Sequence, residues 1–185
     1  MTWAFEFEDQ PYFAGFRSLA SNGIDKPVLN VFRMFSQMSG KRLSVQSDNV
    51  TSLEDILRQG VRGKPDVAAL ASLDTNRLCV LMWHYHDDDV PGADAAIALT
   101  LEGVNFTKAN VQHFRIDQEH SNAFTAWKKM GSPQNPTAEQ YAQLEKAGRL
   151  AALEPKTVQA ENGRINVAFE LPRQAVSLLV FTYRE

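Results

Sequence analysis

The sequence predicts a mainly β chain: an antiparallel β-sandwich preceded by the last βα unit of a (β/α)8 barrel, with two or three short helices among the strands. Three observations lead there. Residues 2–8 alternate, so a strand of period two puts Trp3, Phe5 and Phe7 on one face and Ala4, Glu6 and Glu8 on the other. A helical apolar pattern follows it before Gly40, and such a βα pair has no core of its own. Beyond Gly40 come eight short apolar or alternating runs, each bounded by Gly, Pro, Asn or Asp, which is the rhythm of an antiparallel sandwich.

Taken in order, the opening strand runs into a loop from Pro11 to Lys26 that is rich in small and polar residues. Asp25 can cap the next element and Pro27 suits its first turn. Val28, Val31, Phe32, Phe35 and Met38 then form an apolar stripe on a helix that Ser39-Gly40 stops. Strands are expected at Arg42 to Ser47, Val67 to Leu73, Leu78 to His86, Ala95 to Leu101, Val111 to Ile116, Thr157 to Ala160, Ile165 to Leu171 and Val176 to Tyr183. Two helices interrupt them. One spans Ser52 to Gln59, with Ser52 as its cap. The other spans Thr137 to Leu150, where Thr137 and Gln140 have the spacing of a capping box. The chain therefore divides at Gly40 into residues 1–40 and residues 41–185. Parallel βα units need neighbouring strands on both sides, so residues 1–40 are expected to be the final unit of a larger array, for which the (β/α)8 barrel is the common solution.

Composition bounds the function. With 44% hydrophobic residues, 22% charged residues and a net charge of −3 over 185 residues, the chain can bury a core and is not a disordered segment. There is no basic excess to recruit nucleic acid or an anionic membrane. Cys79 is the single cysteine, inside the apolar run Leu78 to Met82, and reads as a buried small residue. No run approaches the roughly 18 apolar residues of a membrane span, and no basic segment with an apolar run follows Met1, so any export signal is expected upstream. Localisation stays unassigned.

At the carboxy-terminal end of a barrel strand, Glu6 and Glu8 would face an active site, with Trp3 nearby. Two carboxylates at i and i+2 on a strand lie roughly 6–7 Å apart, which invites a general acid and nucleophile pair. Contact with sugar hydroxyls is the favoured reading for at least one of them, and a surface ion pair is the bland one. Trp3 reads equally as a sugar platform or as barrel core.

The residues also carry a family resemblance. The run Thr2-Trp3-Ala4-Phe5-Glu6-Phe7-Glu8, with Phe13-Ala14-Gly15-Phe16, Gly23-Ile24-Asp25-Lys26-Pro27 and Asn30-Val31-Phe32-Arg33, resembles the last barrel strand and helix of glycoside hydrolase family 39. That family holds β-xylosidases and α-L-iduronidase. A second block, Arg115 through Phe124 with Trp127, Met130-Gly131-Ser132-Pro133 and Pro136-Thr137, is similar to the β-sandwich of the β-xylosidase branch, and the run Trp83 to Asp89 fits bacterial members. The resemblance implies a retaining glycosidase that releases xylose from xylo-oligosaccharides. Its acid/base and nucleophile are glutamates on barrel strands four and seven, expected to precede Met1. Catalytic residues in this chain are therefore expected to be none, substrate-binding residues to be Glu6, Glu8 and Trp3, and the chain alone to be inactive. No cofactor, metal, nucleic acid or membrane partner is implied, and the sandwich of such enzymes can join subunits in a homo-oligomer.

Other constellations have bland readings that outweigh the sharp ones. His84, His86 and Asp87 to Asp89 have the residue types of a metal site, but read as the end of an edge-type strand followed by a solvated turn. Asp117, Glu119 and His120 read as a cap for a helical segment from Ser121 to Lys129 rather than a proton relay. Trp127 and Met130 read as core or interface anchors. Two rival accounts stand beside the glycosidase reading. One is a non-catalytic carbohydrate-binding or assembly module, in which residues 1–40 would fold onto the sandwich and cover Val28, Phe32 and Phe35. The other is a partner chain that supplies the rest of the barrel.

Overall fold

A computed structural model describes residues 10–15 and 18–183. These form two compact units: residues 1–36 with 116–151, and residues 37–115 with 152–185. The division differs from a cut at Gly40, because residues 116–151 pack with the amino-terminal residues rather than with the sandwich strands.

In the first unit a two-residue hairpin pairs β1 (Ala20–Ser21) with β2 (Ile24–Asp25). Its turn is Asn22-Gly23, both at positive φ, +50° and +81°. Asn-Gly is the dipeptide that two-residue hairpins favour, so the segment Pro11 to Lys26 is more structured than its loop-like composition suggests. Helix α1 (Pro27–Ser36) follows as expected, but with its faces reversed. Asn30 and Met34 are fully buried, while Val28, Phe32 and Phe35 are 45%, 49% and 45% exposed. The buried face is fixed by polar bonds: the Asn30 side-chain amide donates to the carbonyls of Gly148 at 2.6 Å and Ser121 at 3.3 Å, and its oxygen accepts from Arg33 at 2.9 Å.

The second half of this unit is the helix pair α3 (Ala123–Lys129) and α4 (Ala138–Gly148). Helix α4 starts with the expected capping box, in which Thr137 and Gln140 satisfy each other's main-chain N–H groups at 3.2 and 2.9 Å. Helix α3 is capped by Asn122, whose side chain accepts from the Thr125 N–H at 3.1 Å. Asp117 does not cap it. Its carboxylate instead closes the preceding turn, taking the N–H groups of Glu119 and His120 at 2.8 Å each and the His120 ring at 2.9 Å. An aspartate followed by a tight turn bonds main chain two and three residues on, so it is used up before the helix begins.

The second unit is the sandwich. Its strands and helix are β3 (Lys41–Leu43), α2 (Leu53–Gln59), β4 (Asp66–Asp74), β5 (Arg77–Tyr85), β6 (Ala95–Glu102), β7 (Lys108–Ile116), β8 (Ala151–Ala152), β9 (Lys156–Gln159), β10 (Arg164–Leu171) and β11 (Ala175–Tyr183). A seven-stranded sheet runs β3-β4-β5-β11-β7, with β8 and β9 both on β7, and a two-stranded sheet pairs β6 with β10. All eight runs expected from the sequence are strands, although the first ends at Leu43 rather than Ser47.

Register explains the core. Leu78 lies opposite Phe181 and Val80 opposite Leu179, while on the smaller sheet Leu101 faces Ile165, Leu99 faces Val167 and Ile97 faces Phe169. These inward residues form one cluster. Phe106 and Tyr183 stack within it at 3.8 Å between ring centroids. Burying a side chain such as Phe181, which has no exposed surface, contributes about 1.5–3 kcal/mol. Cys79, Leu81, Leu178 and Val180 point to the other side of the large sheet and are also buried. Burial pushes the Cys79 thiol above its ordinary value, so it is held as the unreactive neutral form.

Because β5 lies between β4 and β11, His84 and His86 do not end an edge strand. Both are buried. The His84 Nδ1 meets the Leu171 carbonyl at 2.9 Å. The His86 Nδ1 accepts from the Asp88 N–H at 3.0 Å, leaving its Nε2 to donate to the Arg62 carbonyl at 3.0 Å. Both nitrogens of His86 are thus committed to main chain. The run Leu78 to Met82, apolar on both faces of a strand, already carries the signature of a central strand.

Candidate functional site

The residues expected to touch sugar, Trp3, Glu6 and Glu8, lie outside the described residues. What the structure does place is the segment that follows them and everything that holds it. The Tyr12 N–H donates to the Gln134 side chain at 2.9 Å, the Phe13 N–H to the Ser21 hydroxyl at 2.6 Å, and the Asn22 side chain to the Gln10 carbonyl at 3.3 Å. Lys26 reaches back to the Gly15 carbonyl at 2.6 Å and the Ser18 hydroxyl at 2.5 Å. From the other side, the Tyr141 hydroxyl donates to the Asn22 carbonyl at 3.0 Å.

Phe13 stands at φ +59°, a left-handed conformation that costs energy for a side chain of its size. Packing repays it. Its ring lies 5.1 Å from Trp127 and 5.7 Å from Phe124, and Trp127 is itself fixed by donating its indole N–H to the Pro133 carbonyl at 2.9 Å. Burial, and after it the neighbouring Tyr141, raises the Tyr12 phenol above its ordinary range. Trp127 and Met130 are therefore core anchors of this unit, as one of their two readings had it. Gly148 allows the close approach that completes it: a β-carbon there would sit 2.8 Å from the Asp25 carbonyl oxygen. The arrangement is a clamp, with α3 and α4 on one side of the segment after residue 9 and α1 locked to the same helices through Asn30.

The sandwich has a feature that pattern reading missed. On the inner side of β7, Val111, His113 and Arg115 recur every second residue, so two polar side chains face the space between the sheets. The His113 Nε2 meets the Ser177 hydroxyl at 2.9 Å and its ring meets Phe169 edge-on at 4.8 Å. The Arg115 guanidinium lies 5.5 Å from the same ring and donates to the Glu170 carbonyl at 3.1 Å. Beside them opens a cleft of about 310 Å³, walled mainly by apolar groups, including Val158, Val167, Phe169 and Leu179. The polar residues at alternate positions of an inward-facing strand were the available signal. Among the described residues no group of three or more His, Cys, Asp or Glu gathers as metal ligands would.

A mainly antiparallel sandwich joined to a clamped segment that follows a Trp-Glu-Glu strand places the chain among glycoside hydrolases. Residues 1–166 match the family model of Glycosyl hydrolases family 39, and the chain belongs to that family. Among curated proteins it is similar to a β-xylosidase of Caldicellulosiruptor saccharolyticus, 25% identical over 142 residues, which is 76% of this chain and 26% of that protein. Its fold is similar to the family 39 enzyme from Xanthomonas axonopodis pv. citri, at a TM-score of 0.75 and 18% identity, over 95% of this chain and 34% of that one. It is also similar to a monomeric β-xylosidase from Caulobacter crescentus CB15, at a TM-score of 0.73 and 18% identity, over the same shares. The chain thus spans about a quarter to a third of the length of these relatives.

Proposed function

We propose that this chain is the carboxy-terminal part of a retaining β-xylosidase that releases xylose from short xylo-oligosaccharides. In this reading residues 1–40 supply the last strand and helix of the barrel and the sandwich is the accessory domain. The observation that carries it is the exposed stripe Val28, Phe32 and Phe35 on α1, spaced four and three residues apart. Residues at that spacing share one helix face. A helix with a polar buried face and an apolar exposed one is half of a larger packing arrangement, which fits an outer barrel helix awaiting its neighbours. The same stripe speaks against a self-contained binding module, which would have covered it.

By the family pattern the two catalytic glutamates belong to barrel strands four and seven, about 5–5.5 Å apart across the scissile bond. Glu6 and Glu8 are then groups that hold sugar hydroxyls, and Trp3 gives the sugar an apolar face. The α3–α4 clamp has a stated task in this scheme: it fixes the chain that leaves the strand carrying them.

The test is kinetic. Mixed with a separately made polypeptide carrying barrel strands one to seven of a close relative, the chain is assayed with an aryl β-xyloside and an aryl α-L-iduronide. Only the xyloside is expected to be cleaved. Replacing a carboxylate that holds a hydroxyl removes a charge-assisted hydrogen bond worth about 1.5–3 kcal/mol. Accordingly Glu6→Gln or Glu8→Gln should raise KM by roughly 10- to 100-fold. Loss of turnover to background in either variant would make that glutamate catalytic instead, and unchanged kinetics in both would remove them from the sugar site.

A further inference from the structure

We propose that the outer edge of β10 and the cleft beside it receive a short extended peptide segment, apolar at alternate positions, supplied by the part of a family 39 enzyme that lies outside the third matched by this chain. Only the source of that segment rests on the barrel-completing role proposed above. The edge and the cleft are properties of the sandwich itself.

β10 pairs with β6 along its whole length, from Arg164 opposite Glu102 to Leu171 opposite Ala95. In such a ladder alternate residues direct their main-chain groups to opposite sides. Arg164 exchanges both main-chain bonds with Glu161, at 2.8 and 3.0 Å, across the turn Asn162-Gly163, so its N–H and C=O face away from β6. Asn166, Ala168 and Glu170 follow it on that side. The Glu170 carbonyl is taken by Arg115 at 3.1 Å. The outer edge is thus closed at both ends, by Glu161 and by Arg115. Between them Asn166 and Ala168 face no strand among the described residues.

The cleft lies at this open stretch. It is bounded by Val111, Val158 and Leu179 of the large sheet and by Val167, Ala168 and Phe169 of β10, and its volume of about 310 Å³ would hold about ten waters. Water there meets mostly apolar walls, and an unpaired strand edge beside an apolar cleft is an unfavourable arrangement in solution. A small apolar ligand would fill the cleft and leave the edge unpaired. A strand answers both: its main chain pairs with Asn166 and Ala168, and every second side chain enters the cleft. The imbalance between two strands on one side and seven on the other fits a missing strand at this position. With about 34% of the solved relatives' length accounted for, the remaining two thirds is the available source.

The experiment uses the intact chain and overlapping synthetic peptides of about ten residues that tile the unmatched part of the Caulobacter crescentus enzyme, with amide exchange followed residue by residue by NMR. One peptide, or one overlapping pair, should slow exchange at Asn166 and Ala168 by about tenfold or more, and leave the amides of Val28 to Phe35 unchanged. Ala168→Pro removes a donor from the edge at a residue whose side chain is exposed, and should abolish the effect. Failure of every peptide to slow exchange at these two residues overturns the proposal. So does protection that survives in Ala168→Pro, which would mean binding in the cleft without strand pairing. Protection that grows with protein concentration in the absence of peptide would assign the edge to a second copy of this chain and overturn it as well. Should Ala168→Pro fail to fold, the peptide series on the unaltered chain still decides. The readout is not activity, so a failure to hydrolyse xylosides would count against the functional reading and leave this one standing.

Discussion

Phe32→Asp combined with Phe35→Asp is expected to leave the chain folded and monomeric, and to abolish its capacity to complete a barrel. Both rings are nearly half exposed and neither belongs to the buried face of α1, so the substitutions remove no described core packing. The unaltered chain, carrying the stripe into solution, should self-associate with rising concentration. Covering the two half-exposed rings is worth about 2–3 kcal/mol in apolar burial. Losing it weakens association with a polypeptide bearing barrel strands one to seven by on the order of 100-fold, before the cost of burying two new carboxylates. Sedimentation of the chain alone and titration with that polypeptide measure both effects. An unchanged affinity would mean that α1 packs against nothing further.

The second large effect is expected inside the clamp. Asn30 has no exposed surface, and its side chain serves the Gly148 and Ser121 carbonyls and Arg33 together. Asn30→Leu has similar bulk but offers no donor, so two main-chain acceptors lose their partner, at about 1–3 kcal/mol each. A destabilisation of about 2–5 kcal/mol follows. It should be confined to residues 1–36 and 116–151, one of the two compact units. Trp127 belongs to that unit and Trp83 to the other, which gives each its own fluorescence reporter in a urea titration. The Trp127 transition should move to lower urea while that of Trp83 stays. A single shared shift would show that the two units unfold as one.

Much of this was legible in the sequence, and the failures have physical causes. The sandwich strands could be read because β6 and β10 alternate apolar and polar residues with period two, and β5 and β11 are apolar on both faces. The caps Ser52 and Thr137 could be read because side-chain and main-chain geometry at a helix start is local. The faces of α1 could not. An apolar stripe signals burial only when the partner is at hand, and here a single asparagine with two remote carbonyls sets the buried side. The hairpin at Asn22-Gly23 was signalled by its dipeptide and hidden by the polar residues around it. His84 and His86 were misplaced because strand position depends on pairing with β11, more than eighty residues on. Grouping residues 116–151 with the amino-terminal segment likewise depends on long-range contacts, such as Tyr141 to Asn22, that no local pattern encodes. The cleft beside β10 was half visible in the spacing of His113 and Arg115, while the unpaired edge that gives it meaning exists only in three dimensions.

The most direct test of the central claim, that residues 1–40 complete a glycosidase barrel, is the rate of aryl β-xyloside hydrolysis by this chain alone and by its mixture with strands one to seven of the Caulobacter crescentus β-xylosidase. The account predicts no turnover from either component and turnover from the mixture. Hydrolysis by this chain alone would contradict it, and would return Glu6 and Glu8 to the role of the catalytic pair.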